Sequence, residues 1–296
     1  MVRVMLRLIL ALSVASCAQA GRRQSSDSTA WSATTIGECG VAEPVAPVSA
    51  AQKVPSPTPI PLEAGGLDSL SLRLNIPAYR LDVVEGERIV REIQVAVGTS
   101  DHPTPTGNFR VTKVVWNPWW SPPPFEWAKG EKVTPPGPTN PTGRVKLFFG
   151  YYLFLHGTPN EASLGQAASH GCVRMSNADA IALARIVHAH ASPNLPPAVL
   201  DTLEANSNRT RSIDLETPVP LAVRYDLVEV RGSWIEIHAD AYGGHEAGAA
   251  DVLAGLDRAG IGPEQVDADE LRAALQTSTP LTIPLSGVLR RDALDR

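Results

Sequence analysis

The segment LFLHGTPNEASLGQAASHGCVRMSN, residues 153–177, runs from an apolar, strand-like start through a polar loop into a helix-opening Ser-Asn pair. Its strand is read as ending at His156, and Cys172 as lying just ahead of a helix. A cysteine reacts as its thiolate, which is favoured beside a histidine or at a helix N-terminus. His156 lies sixteen residues before Cys172 and His170 two before it. Gly171 allows close approach of the backbone to a reacting carbonyl. The amides of residues 171–173 are candidate oxyanion donors. Nucleophile, base and oxyanion donors together outline an acyl-transfer site. Two His and one Cys are also zinc ligands by type, but the spacing matches no common metal signature. Which histidine is the base is not set by closeness along the chain.

Upstream, Leu70, Leu72 and Leu74 alternate with Ser71, Arg73 and Asn75, the period of a strand. Tyr79 to Val84 and Arg88 to Val97 flank a turn at Glu85-Gly86-Glu87, which predicts a hairpin. Phe109 to Trp116 is a further strand, and Val145 to Phe149 and Tyr151 to Leu155 are two more around Gly150. Between them, residues 117–143 hold eight prolines together with Trp119, Trp120 and Trp127. Such a run cannot join a central ladder, so it is an excursion over one end of the sheet, its tryptophans lining a groove or fastening the loop. Downstream, Ser176 with Asp179 three residues on starts a helix that runs to His190. His188 and His190 are read as helix C-terminal features. Pro218 to Val230 and Ser233 to Tyr242 form a second hairpin, and Glu246 to Ala259 and Pro263 to Gln276 are helical. The class is mainly β with a few helices.

The whole chain has 296 residues, 43% of them hydrophobic and 19% charged, enough for a sizeable core. Gly 23 and Pro 26 favour loop-rich β architecture. A net charge of −5 argues against a nucleic-acid partner. Residues 1–20 have a basic start at Arg3 and Arg7 and a short apolar stretch, the pattern of a secretory signal. Ala18-Gln19-Ala20 is a cleavage pattern, and Val14-Ala15-Ser16-Cys17 one for lipidation of Cys17. The expected location is therefore the periplasm or cell envelope, as a lipoprotein anchored through Cys17 or as a soluble protein. Residues 21–66, rich in Pro, Ser and Ala, read as a tether. With Cys17 set aside, Cys39 and Cys172 remain, too few for a disulfide framework. Cys39 has no catalytic context. The domain expected next spans 67–195, followed by an extension of unknown role at 196–296.

His156-Gly157-Thr158, then Ser169-His170-Gly171-Cys172-Val173-Arg174-Met175, closely resembles the signature of the L,D-transpeptidase catalytic domain of YkuD type, HG(T/N) followed by SHGC(I/V)R(M/L). His102 to Phe109 and Pro136 to Pro141 are similar to further segments of that family. The resemblance covers about residues 67–190 and implies a β-sandwich or barrel catalytic domain with one helix after the catalytic loop. It implies Cys172 as nucleophile and His156 as base, oriented by the Gly157 carbonyl. Ser169, His170 and Gly171 take oxyanion and orienting positions. Arg174 binds a substrate carboxylate or braces the loop. The partner implied is a peptidoglycan stem peptide: the thiolate attacks the carbonyl of the third residue, a diamino acid, and expels D-alanine, after which an amine resolves the thioester. Carbapenems are expected to acylate the same thiol. No cofactor and no metal are called for. A carboxypeptidase or amidase using the same thioester, and a wall-binding module with a degenerate site, are the alternatives.

Overall fold

The computed structural model describes residues 69–276 and 281–290. The signal, the tether, Cys17 and Cys39 lie outside these described residues. Alternation builds the first strands. β1 (Leu70–Asn75) buries Leu70, Leu72 and Leu74 and turns Ser71 and Arg73 away, as one dry sheet face requires. β2 (Arg80–Glu85) and β3 (Arg88–Gln94) pair through a turn in which Gly86 takes φ 61°, a left-handed conformation open to glycine at little cost. There follow β4 (Val97–Gly98), β5 (Gly107–Trp116), β6 (Val145–Gly150), β7 (Leu153–Thr158), β8 (Ala167–Ser169) and β9 (Val173–Ser176). Then come α1 (Asn177–Ala191), α2 (Pro197–Ala205) and β10 (Arg211–Arg224). A C-terminal lobe holds β11 (Val228–Arg231), β12 (Trp234–Ile237), α3 (Ala249–Arg258), α4 (Ala268–Ala274) and β13 (Leu281–Pro284).

Eight strands form one sheet in the order β3-β2-β1-β10-β5-β6-β7-β9. The β1–β10 and β7–β9 pairs are parallel and the other pairs antiparallel. Arg174 of β9 exchanges two backbone hydrogen bonds with Ala96, just beyond β3, at 2.8 and 2.9 Å. The two edges of the sheet thus meet, and the expected mainly β, barrel-like class is observed. The concave face is filled by Leu72, Leu81, Val111, Trp116, Leu147, Leu155, Val173 and Met175, all fully buried. α1 covers it with Ala180, Leu183, Ala184 and Val187. Ser176 caps α1 by accepting the Asp179 amide at 3.0 Å, as its position before the apolar run predicts.

Three expectations are corrected. The catalytic sheet does not end at residue 195: β10 lies in its middle, between β1 and β5. The predicted hairpin from Pro218 divides accordingly, 211–224 serving the main sheet and 228–231 the lobe. Cys172 does not abut a helix, because the four residues of β9 separate it from α1. His188 is not a charged helix end. It is buried, and its Nε2 accepts the Trp116 indole N–H at 3.2 Å, which requires the neutral ring.

The lobe has its own small core of Val228, Ile235, Ile237, Val252, Leu256 and Ile283. Arg80 of β2 ties it to the sheet, 2.8 Å from Glu229 and 3.3 Å from Glu236. A second tie reaches the catalytic loop. The Thr104 amide donates to the Tyr242 hydroxyl at 3.0 Å, and the Thr104 hydroxyl donates to the Gly171 carbonyl at 3.1 Å. Tyr242→Phe leaves the nearly buried Thr104 N–H without its acceptor, which costs about 1–3 kcal/mol. Urea unfolding reads the loss; an unchanged midpoint would mean that the lobe does not brace this loop.

Two buried histidines set a pH dependence of stability. Burial, with Arg174 and Lys146 adding, lowers His156 to about 3 against the pull of the Gly157 carbonyl, and burial lowers His188 to about 4. Both rings are neutral when folded, and titrate near 6.5 when unfolded. Unfolding therefore takes up protons below that value, so stability is full above about pH 6.5 and falls as pH drops toward 4. The steepest slope is about 2.7 kcal/mol per pH unit for two protons. Denaturation midpoints between pH 7 and pH 5 measure it, and a flat profile would place a charged ring in the folded state.

Candidate active site

Alternation along three neighbouring strands makes the site. β6, β7 and β9 send Leu147, Leu155, Val173 and Met175 into the core. The opposite face therefore carries Lys146 and Phe148, Phe154 and His156, and Arg174, with Cys172 directly before β9 in the same alternation. The Pro-rich excursion arches over this face and encloses a cavity of about 670 Å³. It is held by paired backbone hydrogen bonds between Trp120 and Thr134, both 2.9 Å. The buried Asn140 amide also donates to the Pro118 carbonyl at 2.9 Å. Trp119, Trp120 and Trp127 line the cavity, so the tryptophans face the groove.

His156 lies on β7 with 4% of its surface exposed. Its Nδ1 is 2.7 Å from the Gly157 carbonyl. A carbonyl only accepts, so Nδ1 carries the proton and Nε2 is left with its lone pair. Since the ring stays neutral to about pH 3, this nitrogen is unprotonated throughout the neutral range. Gly157 itself is required by packing: a Cβ there would come within 2.3 Å of the Asn177 Oδ1. That oxygen is already committed, accepting the Arg144 amide at 2.8 Å.

Cys172 lines the same cavity. Burial pushes its thiol up, while the Phe154 amide, Arg174 and Lys146 pull it back. The resting group is the thiol, and it donates to the Tyr152 carbonyl at 3.4 Å. Tyr152 presents this carbonyl from a left-handed conformation, φ 53°, a strained setting for a residue with a side chain. Attack by this cysteine therefore needs a partner to take the thiol proton, not a preformed thiolate.

Gly171 takes φ +98°, which lets the chain turn sharply into β9. The Ser169 hydroxyl accepts the Gly171 amide at 3.1 Å and donates to the Cys172 carbonyl. Ser169 thus locks the turn, and the Gly171 N–H is occupied. With the Gly171 N–H occupied, the Cys172 N–H is the neighbouring candidate for an oxyanion donor. His170 stands at the rim, exposed, its ring stacked on Trp127 at 4.0 Å and edge-on to His102 at 4.7 Å. Its pKa is lowered, first by burial and then by His102 and Arg174. The two histidines are therefore distinct, one buried with its tautomer fixed, the other a surface ring.

Lys146 escaped the sequence reading. It is 8% exposed, pairs across the ladder with His156, and donates from Nζ to the Trp119 carbonyl at 3.2 Å. Burial lowers it to about 8, opposed by Cys172. The signal was the alternation itself: Val145, Leu147 and Phe149 are core, so Lys146 shares the His156 face. Among the described residues, Glu229, Glu236 and His238 are the metal-ligand types whose atoms converge within 4.8 Å. Arg80 already sits between those two carboxylates. His156, His170 and Cys172 do not converge in this way.

Comparison with known proteins follows the same lines. The L,D-transpeptidase catalytic domain family, YkuD, matches residues 71–220. YkuD of Bacillus subtilis, which bears an L,D-transpeptidase designation, is 32% identical over 117 residues, 39% of this chain and 59% of its own length. ErfK/SrfK of Escherichia coli, similarly designated, is 27% identical over 186 residues, 59% of this chain and 53% of its own. The chain thus spans between half and three fifths of these curated relatives. Among solved structures, the L,D-transpeptidase LdtMt1 in complex with imipenem aligns over 53% of this chain and 59% of its own, at 15% identity and a TM-score of 0.35. The family match runs from β1 into β10 and takes in His156, Cys172 and the strands that hold them. On that ground the chain belongs to the L,D-transpeptidase catalytic domain family of YkuD type.

Proposed function

We propose that this protein is a peptidoglycan L,D-transpeptidase in which Cys172 is the nucleophile and His156 the general base. The observation that carries the reading is the fixed tautomer of His156, whose free Nε2 shares a walled cavity with the Cys172 thiol. The thiol proton passes to Nε2 as Sγ attacks the carbonyl of the third stem residue. Charge developing on that oxygen falls to the Cys172 N–H. The imidazolium returns the proton to the departing D-alanine amine, which leaves a thioester. An amine acceptor then attacks, Nε2 takes its proton, and the thiol is regenerated. Trp119, Trp127 and Phe125 line the wall of the cavity along which donor and acceptor would lie. Gly157 orients the base, Ser169 and Gly171 shape the turn, and His170 with Trp127 forms the rim.

Mass spectrometry of the protein incubated with a stem tetrapeptide and an amine acceptor tests this. The expected result is a D-alanine-free product joined to the acceptor, absent with Cys172→Ala. His156→Ala slows the reaction on the order of 10²–10⁴-fold. Imipenem, a strained acyl donor, gives a covalent adduct on the parent protein and none on Cys172→Ala. Product formation by Cys172→Ala would refute the thiol mechanism, and a hydrolysed, acceptor-free product would assign a carboxypeptidase.

We also propose export to the cell envelope, with residues 1–16 cleaved as the signal and a lipid on Cys17, the first residue of the mature chain. The support is the sequence pattern alone, basic start, apolar stretch and Val14-Ala15-Ser16-Cys17. Residues 18–66 then tether the domain to the membrane. Fractionation of the parent chain and Cys17→Ala reads this; a parent protein found in the soluble fraction removes the anchor.

A further inference from the structure

Three side chains form a row across the cavity floor. Lys146 of β6 is opposite His156 of β7, and His156 is opposite Arg174 of β9. Neighbouring strands lie about 4.8 Å apart, so the two cations flank the base at about one strand spacing each. Neither makes an ion pair among the described residues. The cavity wall holds a single acid, Glu131, which is exposed on the excursion and pairs with neither. Lys146 commits one N–H to the Trp119 carbonyl, and its Nζ lies over the Phe154 ring, 5.2 Å from the ring centre. The remaining ammonium protons have no acceptor among the described residues.

A cation held this far from water without a counter-ion is costly. On a strand whose neighbours are core, an apolar residue would fill the space more cheaply. The arrangement is what an incoming anion would satisfy: an ammonium and a guanidinium on either side of the reacting centre, in a cleft walled by aromatic rings. Lowered hydration in such a cleft strengthens a charge-assisted hydrogen bond to a carboxylate.

We propose that Lys146 is a specificity-determining residue that receives a carboxylate of the acyl donor and so sets its scissile carbonyl against Cys172. The inference rests on the transpeptidase reading above and deepens it. A stem-peptide donor offers two carboxylates near the reacting bond, the C-terminal group of the leaving D-alanine and, where the diamino acid has one, its side-chain group. The chemistry at Lys146 is the same for both.

The experiment compares kcat/KM for three synthetic donors: both carboxylates free, the D-alanine carboxylate amidated, and the side-chain carboxylate amidated. Parent protein, Lys146→Gln and Lys146→Arg are assayed with each. The parent is expected to prefer the free acid over one of the amides about tenfold or more, as a charged hydrogen bond in a cleft allows. Lys146→Gln removes that preference and Lys146→Arg retains most of it. The amide that the parent discriminates against identifies the carboxylate. The alkylation rate of Cys172 by neutral iodoacetamide, followed against pH, confirms that each variant has formed the site and separates recognition from thiol ionisation. Equal losses on all donors, with a displaced alkylation profile, would overturn the proposal by making Lys146 a thiol-tuning group. Unchanged preference in Lys146→Gln overturns it as well. A parent protein that turns over none of the donors refutes the transpeptidase reading itself, and this inference with it.

Discussion

The two backbone hydrogen bonds between Arg174 and Ala96 are the constraint on which the site depends. β9 has only four residues, too short to be held by one neighbour. It gains β7 on one side and Ala96 on the other, and the sheet closes through it. That double hold fixes the residue directly before the strand. Cys172 is thereby placed on the outer face beside β7, with its direction set by the alternation that sends Val173 and Met175 inward. The Ser169 hydroxyl and the left-handed Gly171 complete the turn. The reactive thiol owes its position to main-chain geometry and needs no side-chain contact of its own to find it.

The thiol and the imidazole are both neutral at rest, since burial lowers His156 and raises Cys172. An ion pair would demand charge separation in a poorly hydrated cleft. Lys146 and Arg174 lie on the same face as the thiol and line the same cavity. Their effect on the resting thiol is a partial offset of burial, not a reversal of it.

Much of this was legible in the chain before folding. The His156 and Cys172 motifs, the hairpin at Gly86, the Ser176 cap and the Pro-rich excursion are local signals, each confined to a few residues. What was missed is non-local. The end of β10 reads as a strand from Pro218, but nothing within it says that its partner is β1, whose Asn75 amide donates across 151 residues to the Asp226 carbonyl just beyond β10. The helix opens at the Ser176 cap as read, but Val173 and Met175 alternate over too few residues to announce the short strand that separates it from Cys172. His188 has the look of a helix-end charge until Trp116 is brought against it. Lys146 was hidden for a similar reason. A lone lysine on a strand normally faces water, and only the excursion folded over it makes it buried.

The central position of β10 bears on the order in which the molecule is made. A chain synthesised or threaded from its N-terminus presents His156 and Cys172 while the gap between β1 and β5 is still open. The sheet cannot close, and α1 cannot find a continuous surface to cover, until residues 211–224 arrive. Parallel pairing over so long a loop is a slow step. The thiol is thus chemically present well before it is structurally assembled, in a chain whose unpaired strand edges are exposed. Two elements follow β10 at once, the Arg80-bound hairpin and the Tyr242 brace, and both lock the late strand in place. The C-terminal lobe can be seen as a latch on a fold that finishes itself from the far end.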